Sequence, residues 1–125
     1  MTRRIVVSRT TAEVALQPHD IVTVPFPFTD SARNKRRPAL VLSNSKTFNT
    51  PAGHSVMAMI TSAANSPWPL DVPVTNLDEA GLPAASVVRM KLFTLDHRFV
   101  IAKIGTLAKR DRIAVKRALK NLLGG

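Results

Sequence analysis

The sequence predicts a mainly β domain, a small barrel or sandwich, finished by one C-terminal helix. Three observations carry this reading. Short apolar or alternating runs recur through the middle of the chain, divided by Pro-, Gly- and Asp-containing turns. The final stretch changes to helical spacing. A chain of 125 residues, 45% of them apolar, holds one core more comfortably than two.

Residues 1–17 read as an arm, ordered or not, because "TRRIVVSRTTAEVALQPH" has no sustained period and Pro18 ends it. Residues 18–125 read as a single domain. In its first strand Val22, Val24, Phe26 and Phe28 alternate with Thr23, Pro25, Pro27 and Thr29, which gives one apolar face. Pro25 and Pro27 remove two backbone donors from the same side, so the strand lies at an edge or peels away from the sheet. A second strand is expected at 39–43 after Pro38, a third at 55–61, a fourth at 70–74, a fifth in "ASVVRM" and a sixth in "RFVIAKIGT". "DEAGLP" reads as a turn. From Lys109 to Leu123, Val115, Ala118, Leu119 and Leu122 recur on one helical face, with Lys109, Lys116 and Lys120 opposite. Asp111 suits the first turn by the helix dipole, and Gly124 and Gly125 suit the stop.

Charge is the strongest compositional signal. Eighteen Lys and Arg oppose eight Asp and Glu, for a formal +10. Such a cation attracts polyanions whatever its fold: nucleic acid, an acidic protein or an anionic membrane surface. The basic residues cluster at 33–37 and at 89–120, so the field is one-sided if those groups meet in space. The apolar run Ile5 to Val7 is too short for a secretory signal, and no run approaches the ~18 residues of a membrane span. A cytoplasmic protein is the simplest expectation. The absence of cysteine excludes disulfides and thiolate metal sites.

Few residues suggest chemistry on their own. His19, His54 and His97 lack metal-ligand spacing, the acids are scattered, and there is no Gly-rich phosphate loop, so no cofactor and no metal are expected. Arg37 stands before Pro38, which biases it to an extended conformation suited to gripping a phosphate bidentately. A surface arginine is the plainer alternative. Trp68, the only tryptophan, reads first as a packing anchor and second as a stacking surface for a base.

"HDIVTVPFPFTDSARNKRRPALVLS" resembles the opening of the MazF/PemK toxins of bacterial toxin–antitoxin pairs. "MAMITS", "WPLDVPV", "GLPAASVVRMKLFTLD", "IAKIGTL" and the final helix follow in that family's order. The resemblance spans about 18–123. It implies an SH3-like small β-barrel with a C-terminal helix, usually a homodimer. It also implies a metal-independent endoribonuclease that cuts single-stranded RNA at preferred sequences. The 2′-OH would attack the neighbouring phosphate, leaving 2′,3′-cyclic phosphate and 5′-OH ends. A cognate antitoxin with an acidic C-terminal segment would neutralise it.

By the same resemblance the catalytic positions fall on Arg37, Thr61 and Arg89. Arg33, Lys35, Arg36, Ser43, Asn44, Ser62 and Lys91 are the expected RNA contacts. The 30–36 loop is expected to lie over the substrate groove. Three departures stand out. The Gly that usually precedes the first strand is His19. The first loop lacks the PemK-type histidine. The acid that often follows the Val-Val-Arg strand is absent from Arg89-Met90-Lys91, leaving His54, His97 or water to accept the 2′-OH proton. Two other readings remain open: a same-fold toxin acting on a gyrase-like protein, and a non-catalytic RNA- or antitoxin-binding relative.

Overall fold

The computed structural model describes residues 15–26 and 35–125. Arg33, Pro27, Phe28 and most of the expected 30–36 loop, like the arm before residue 15, lie outside the described residues. The strands are β1 Asp20–Phe26, β2 Lys35–Val41, β3 His54–Ser62, β4 Val72–Pro73, β5 Ser86–Asp96 and β6 Ala102–Thr106. They form one curled antiparallel sheet in the order β4-β5-β3-β2-β1-β6. Two α-helical pieces lie in the connections, α1 Thr50–Ala52 and α2 Leu77–Ala80, and α3 Lys109–Leu123 follows β6.

The prolines mark where ladders end. β1 is interior at its start, bonded to both β2 and β6, so the expectation of an edge strand is corrected there. The Thr23 carbonyl accepts from the Ile101 amide at 2.8 Å, which shows that Thr23 points to the β6 side. Pro25, two residues on, points the same way, but the β6 pairing stops at Thr23, so its missing donor has no partner to disappoint. The same parity aims the Pro38 nitrogen at β3, and the β2–β3 ladder covers only Ala39 to Val41. β2 therefore begins at Lys35 and runs through Pro38, earlier than expected. Residues 24–26 and 35–37 pair only with each other, as a two-stranded ribbon leaving the sheet.

Both faces of the sheet are packed. Ile21, Leu40, Ala58, Ile60 and Val88 form one cluster with Val115 and Ala118 of α3. Val22, Val24, Ala39, Val41, Met57 and Leu95 form a second cluster on the other face, with Leu16 and Val100. β1 thus has two apolar faces, not one. Leu16, expected in the arm, is fully buried, and its carbonyl accepts from the buried Asn49 side chain at 2.8 Å. Leu122, expected on the buried face of α3, is exposed. Asp111 does more than complement the dipole. It is buried, and its carboxylate accepts from the Thr75 amide at 2.8 Å and the Thr75 hydroxyl at 2.9 Å. That pair ties α3 to the segment after β4.

β5 is longer than "ASVVRM" because a bulge interrupts it. Ala58 pairs with Leu92 and Met59 with Arg89, so Met90 and Lys91 are extra residues on β5. α2 occupies the expected turn, capped by Gly81 at φ 72°, and presses on β6 so tightly that a Cβ on Gly105 would lie 2.3 Å from the Ala80 backbone.

Candidate functional site

The face of the sheet away from α3 is apolar at one end and cationic at the other. Side chains alternate along a strand, so Arg37 shares the face of Ala39, and Thr61 that of Met59. The Ala39–Met59 register, carried two residues on, points Arg37 towards the Thr61 end of β3, although the ladder stops at Ala39 and Arg37 already belongs to the ribbon that leaves the sheet there. Arg89 pairs with Met59 on the next strand and shares that face. β2, β3 and β5 thus bring Arg37, Thr61 and Arg89 to one end of one face. Two strand spacings and two residues separate Arg37 from Arg89, roughly 12 Å between Cα atoms.

The three side chains have different surroundings. Arg37 is half-buried and forms no hydrogen bond or ion pair with another described residue. The Thr61 hydroxyl oxygen accepts from Asn65 Nδ2 at 2.6 Å, which leaves its own proton to donate. Arg89 is engaged. Its Nε donates to Asp71 Oδ1 at 3.1 Å, and its Nη2 to Asp71 Oδ2 at 2.9 Å and to the Ser66 carbonyl at 2.7 Å. The hydrogen bonds to Asp71 raise the pKa of an already permanent cation. Asp71 also accepts from the Trp68 amide at 3.1 Å.

The remaining expected contacts divide. Lys35 and Arg36 are exposed on the ribbon beside Arg37. Ser62 follows Thr61, and its hydroxyl accepts from the Ala64 amide at 3.1 Å. Lys91 stands in the β5 bulge with Nζ 4.4 Å from the Trp68 ring centroid. Ser43 and Asn44 stand apart from this cluster. They lie past the opposite end of β2, six or more residues from Arg37, or roughly 20 Å along a strand. Ser43 bonds the Asn49 side chain and the Val56 amide, and Asn44 accepts from the Lys46 and Thr47 amides, capping a helical turn at Ser45–Asn49. Their polarity serves the fold.

His54 and His97 are also far from the cluster. His54 opens β3 and Thr61 nearly closes it, roughly 24 Å away. His97 is buried, with Nε2 2.7 Å from the Ser55 hydroxyl, and burial foremost lowers its pKa, helped by His54. Among the described residues no three His, Asp or Glu side chains gather as a metal site needs.

A family model described as the PemK-like, MazF-like toxin of type II toxin–antitoxin systems matches residues 17–123. The chain belongs to that toxin family. The toxin's fold is shared with solved structures. MazE–MazF from Deinococcus radiodurans is 25% identical and aligns over 88% of this chain and 97% of its own, with a TM-score of 0.70. MazF alone from the same organism is 23% identical over 89% and 98%, with a TM-score of 0.70. An endoribonuclease bound to its cognate antitoxin, from a mycobacterial species, is 17% identical over 89% and 95%, with a TM-score of 0.69. No curated protein matches the toxin. Among the described residues no helix is long and apolar enough to cross a membrane.

Two features of the toxin explain departures visible in its sequence. His19 stands where the resemblance expects Gly, and its φ is 80°, a left-handed conformation that glycine adopts without strain. Its backbone still bonds the Val41 carbonyl and the Leu107 amide, at 2.8 and 2.9 Å. The acid missing after Arg89 has a counterpart in space. Asp71 stands against the guanidinium from a segment 18 residues earlier. Nothing in the linear spacing of Asp71 marks it, since only the fold brings "LDVP" to the Val-Val-Arg strand.

Proposed function

We propose that this toxin is a metal-independent endoribonuclease that cuts single-stranded RNA. The observation that supports it best is that Arg37, unpaired among the described residues, and Thr61 lie on one face of the sheet just past the end of the β2–β3 ladder, on a strongly cationic chain. In-line attack of a 2′-OH on its own phosphate gathers negative charge on the phosphoryl oxygens. Fixed donors help most there. Arg37 supplies the permanent cation, and Thr61 adds a neutral O–H to the same oxygens. Lys35, Arg36, Lys91 and Arg33 bind flanking phosphates, and Ser62 lines the path. Arg89 lends charge from the side, with Asp71 opposing it.

Asp71 accepts from Arg89 and Trp68 together, so it serves as an ionic anchor and not as the base for the 2′-OH. Distance removes His54 and His97 from that role. Water takes the 2′-OH proton as the 2′-O–P bond forms and returns one to the 5′-oxygen as the P–O5′ bond breaks, and the products are a 2′,3′-cyclic phosphate and a 5′-OH. A cognate antitoxin with an acidic segment would compete for the same cations, and the active form would be a homodimer in the cytoplasm. The shortage of a free carboxylate beside Arg37 favours one other reading, a relative that binds RNA or antitoxin without cutting.

The test is a long single-stranded RNA incubated with wild type and Arg37→Ala in EDTA, with the ends mapped. Discrete cuts with cyclic-phosphate ends are expected, and the variant should be slower by about 100- to 1000-fold. No wild-type cleavage across several RNAs would overturn the nuclease reading and leave a binding-only relative or a toxin with a non-RNA target.

A further inference from the structure

Trp68 belongs to neither core. Its side chain is 41% exposed, although burying it would be favourable by at least ~2 kcal/mol. The turn that carries it is nonetheless fixed. The Asp71 amide donates to the Trp68 carbonyl at 3.2 Å, and the Trp68 amide returns a bond to Asp71 Oδ2. Arg89 then staples both ends of the segment, through the Ser66 carbonyl at one end and the Asp71 carboxylate at the other. The Lys91 ammonium lies over the ring at 4.4 Å, and Arg89 Cζ is 5.9 Å from its centroid. The outcome is a fixed, exposed indole on the segment between β3 and β4, beside two cations of β5, the strand next to Thr61.

We propose that Trp68 is a stacking platform for one nucleobase of a single-stranded RNA, with Lys91 reaching the phosphate beside that base. Arg89 is a positioning residue for this platform, acting through Asp71 and the Ser66 carbonyl. Single-strand binders pair a cationic track with aromatic faces in this way, and every base offers a π-face to stack. The Lys91 and Arg89 side chains beside the ring come from β5, two strands from β2 and Arg37, a spacing of roughly 10 Å that a neighbouring nucleotide bridges. A merely structural tryptophan would gain nothing from being held outside both cores. This proposal rests on the single-stranded RNA reading above, and its test separates the two.

Trp68 is the only tryptophan and the chain has no tyrosine, so its fluorescence reports on this residue alone. Wild-type protein is titrated with a 2′-O-methyl oligonucleotide, which cannot be cut, and with the same backbone carrying abasic sites. Stacking predicts saturable quenching by the first and none by the fully abasic strand. Trp68→Ala should weaken binding by roughly 5- to 100-fold, and raise KM far more than it lowers kcat wherever cleavage is measurable, while Trp68→Phe restores most of the affinity. Asp71→Asn, which loosens the staple, should weaken binding in the same direction and broaden the emission. Quenching without RNA cleavage would uphold the platform and sink the nuclease. Cleavage with unchanged emission and wild-type KM in Trp68→Ala would sink the platform and leave the nuclease standing. Equal quenching by the abasic strand would reduce the site to phosphate contact and overturn the proposal.

Discussion

Asp111→Ala tests how the toxin holds its helix to its sheet. The carboxylate is 2% exposed and accepts two hydrogen bonds from Thr75, one from the amide and one from the hydroxyl. Hydrogen bonds to a charged group contribute about 1.5 kcal/mol or more each, and the lost first-turn charge adds about 0.5 kcal/mol. Thr75 is exposed, so water replaces part of what its donors lose. The expected loss is therefore about 2–3 kcal/mol. For a domain of this size each kcal/mol moves Tm by about 4 °C, which puts the variant about 8–12 °C below wild type by circular dichroism. Thr75→Val keeps the amide bond and loses only the hydroxyl, so it should fall by about 1 kcal/mol. The double variant should be no worse than Asp111→Ala, because both changes delete the same contact. A Tm within about 2 °C of wild type for Asp111→Ala would refute the reasoning. It would mean that the desolvation of the carboxylate cancels its bonds.

Two further predictions concern stability. Gly105→Ala puts a methyl 2.3 Å from the Ala80 carbonyl group, so α2 must move off β6. Urea unfolding should show a loss of about 3 kcal/mol, and a loss below about 1 kcal/mol would mean that α2 shifts freely. The pH dependence follows from two histidines and one aspartate. Burial, with Arg112 beside His19 and His54 beside His97, lowers both folded pKa values below 6.5. The unfolded chain takes up those protons first, so their contribution is complete above 6.5 and declines as the pH falls from 6.5 towards the folded values. Asp96 is held at about 2 instead of 3.8, chiefly by the Arg98 side chain, so it adds stability above 3.8 that is lost as the pH falls towards 2. That second step is smaller because the pair is exposed. Urea midpoints measured from pH 8 to 3 should decline below 6.5, less steeply in His97→Gln; a flat line from 7 to 5 would contradict this.

Much of the fold was legible because it is local. Hydrophobic spacing placed α3 at 109–123 and the cores of β1, β3 and β6 within a few residues. The errors have physical causes. Pro38 looked like the start of a strand because it lacks a donor, yet that donor would have pointed where no ladder exists. The bulge at Met90 and Lys91 broke the alternation that would have shown the full length of β5. Ser43 and Asn44 are expected as RNA contacts by the resemblance alone. In the fold they make a capping turn and a part-buried bond to Asn49.

The sequence by itself determined the family, the mainly β class, the closing helix, the cationic balance and the candidates Arg37, Thr61 and Arg89. The class, the helix and the charge depend on residue type, spacing and order along the chain; the three candidates depend on the resemblance to the family. Tertiary structure alone decided which of them meet and what state each is in. Arg89 and Asp71 are 18 residues apart, Thr75 and Asp111 36, and Ser55 and His97 42. No periodicity reports on such pairs, because strand order and register set them. The same register leaves Arg37 without a partner among the described residues, binds Arg89 to Asp71, and holds Trp68 outside both cores. A linear pattern records what a residue can do; the sheet decides what stands close enough to satisfy it.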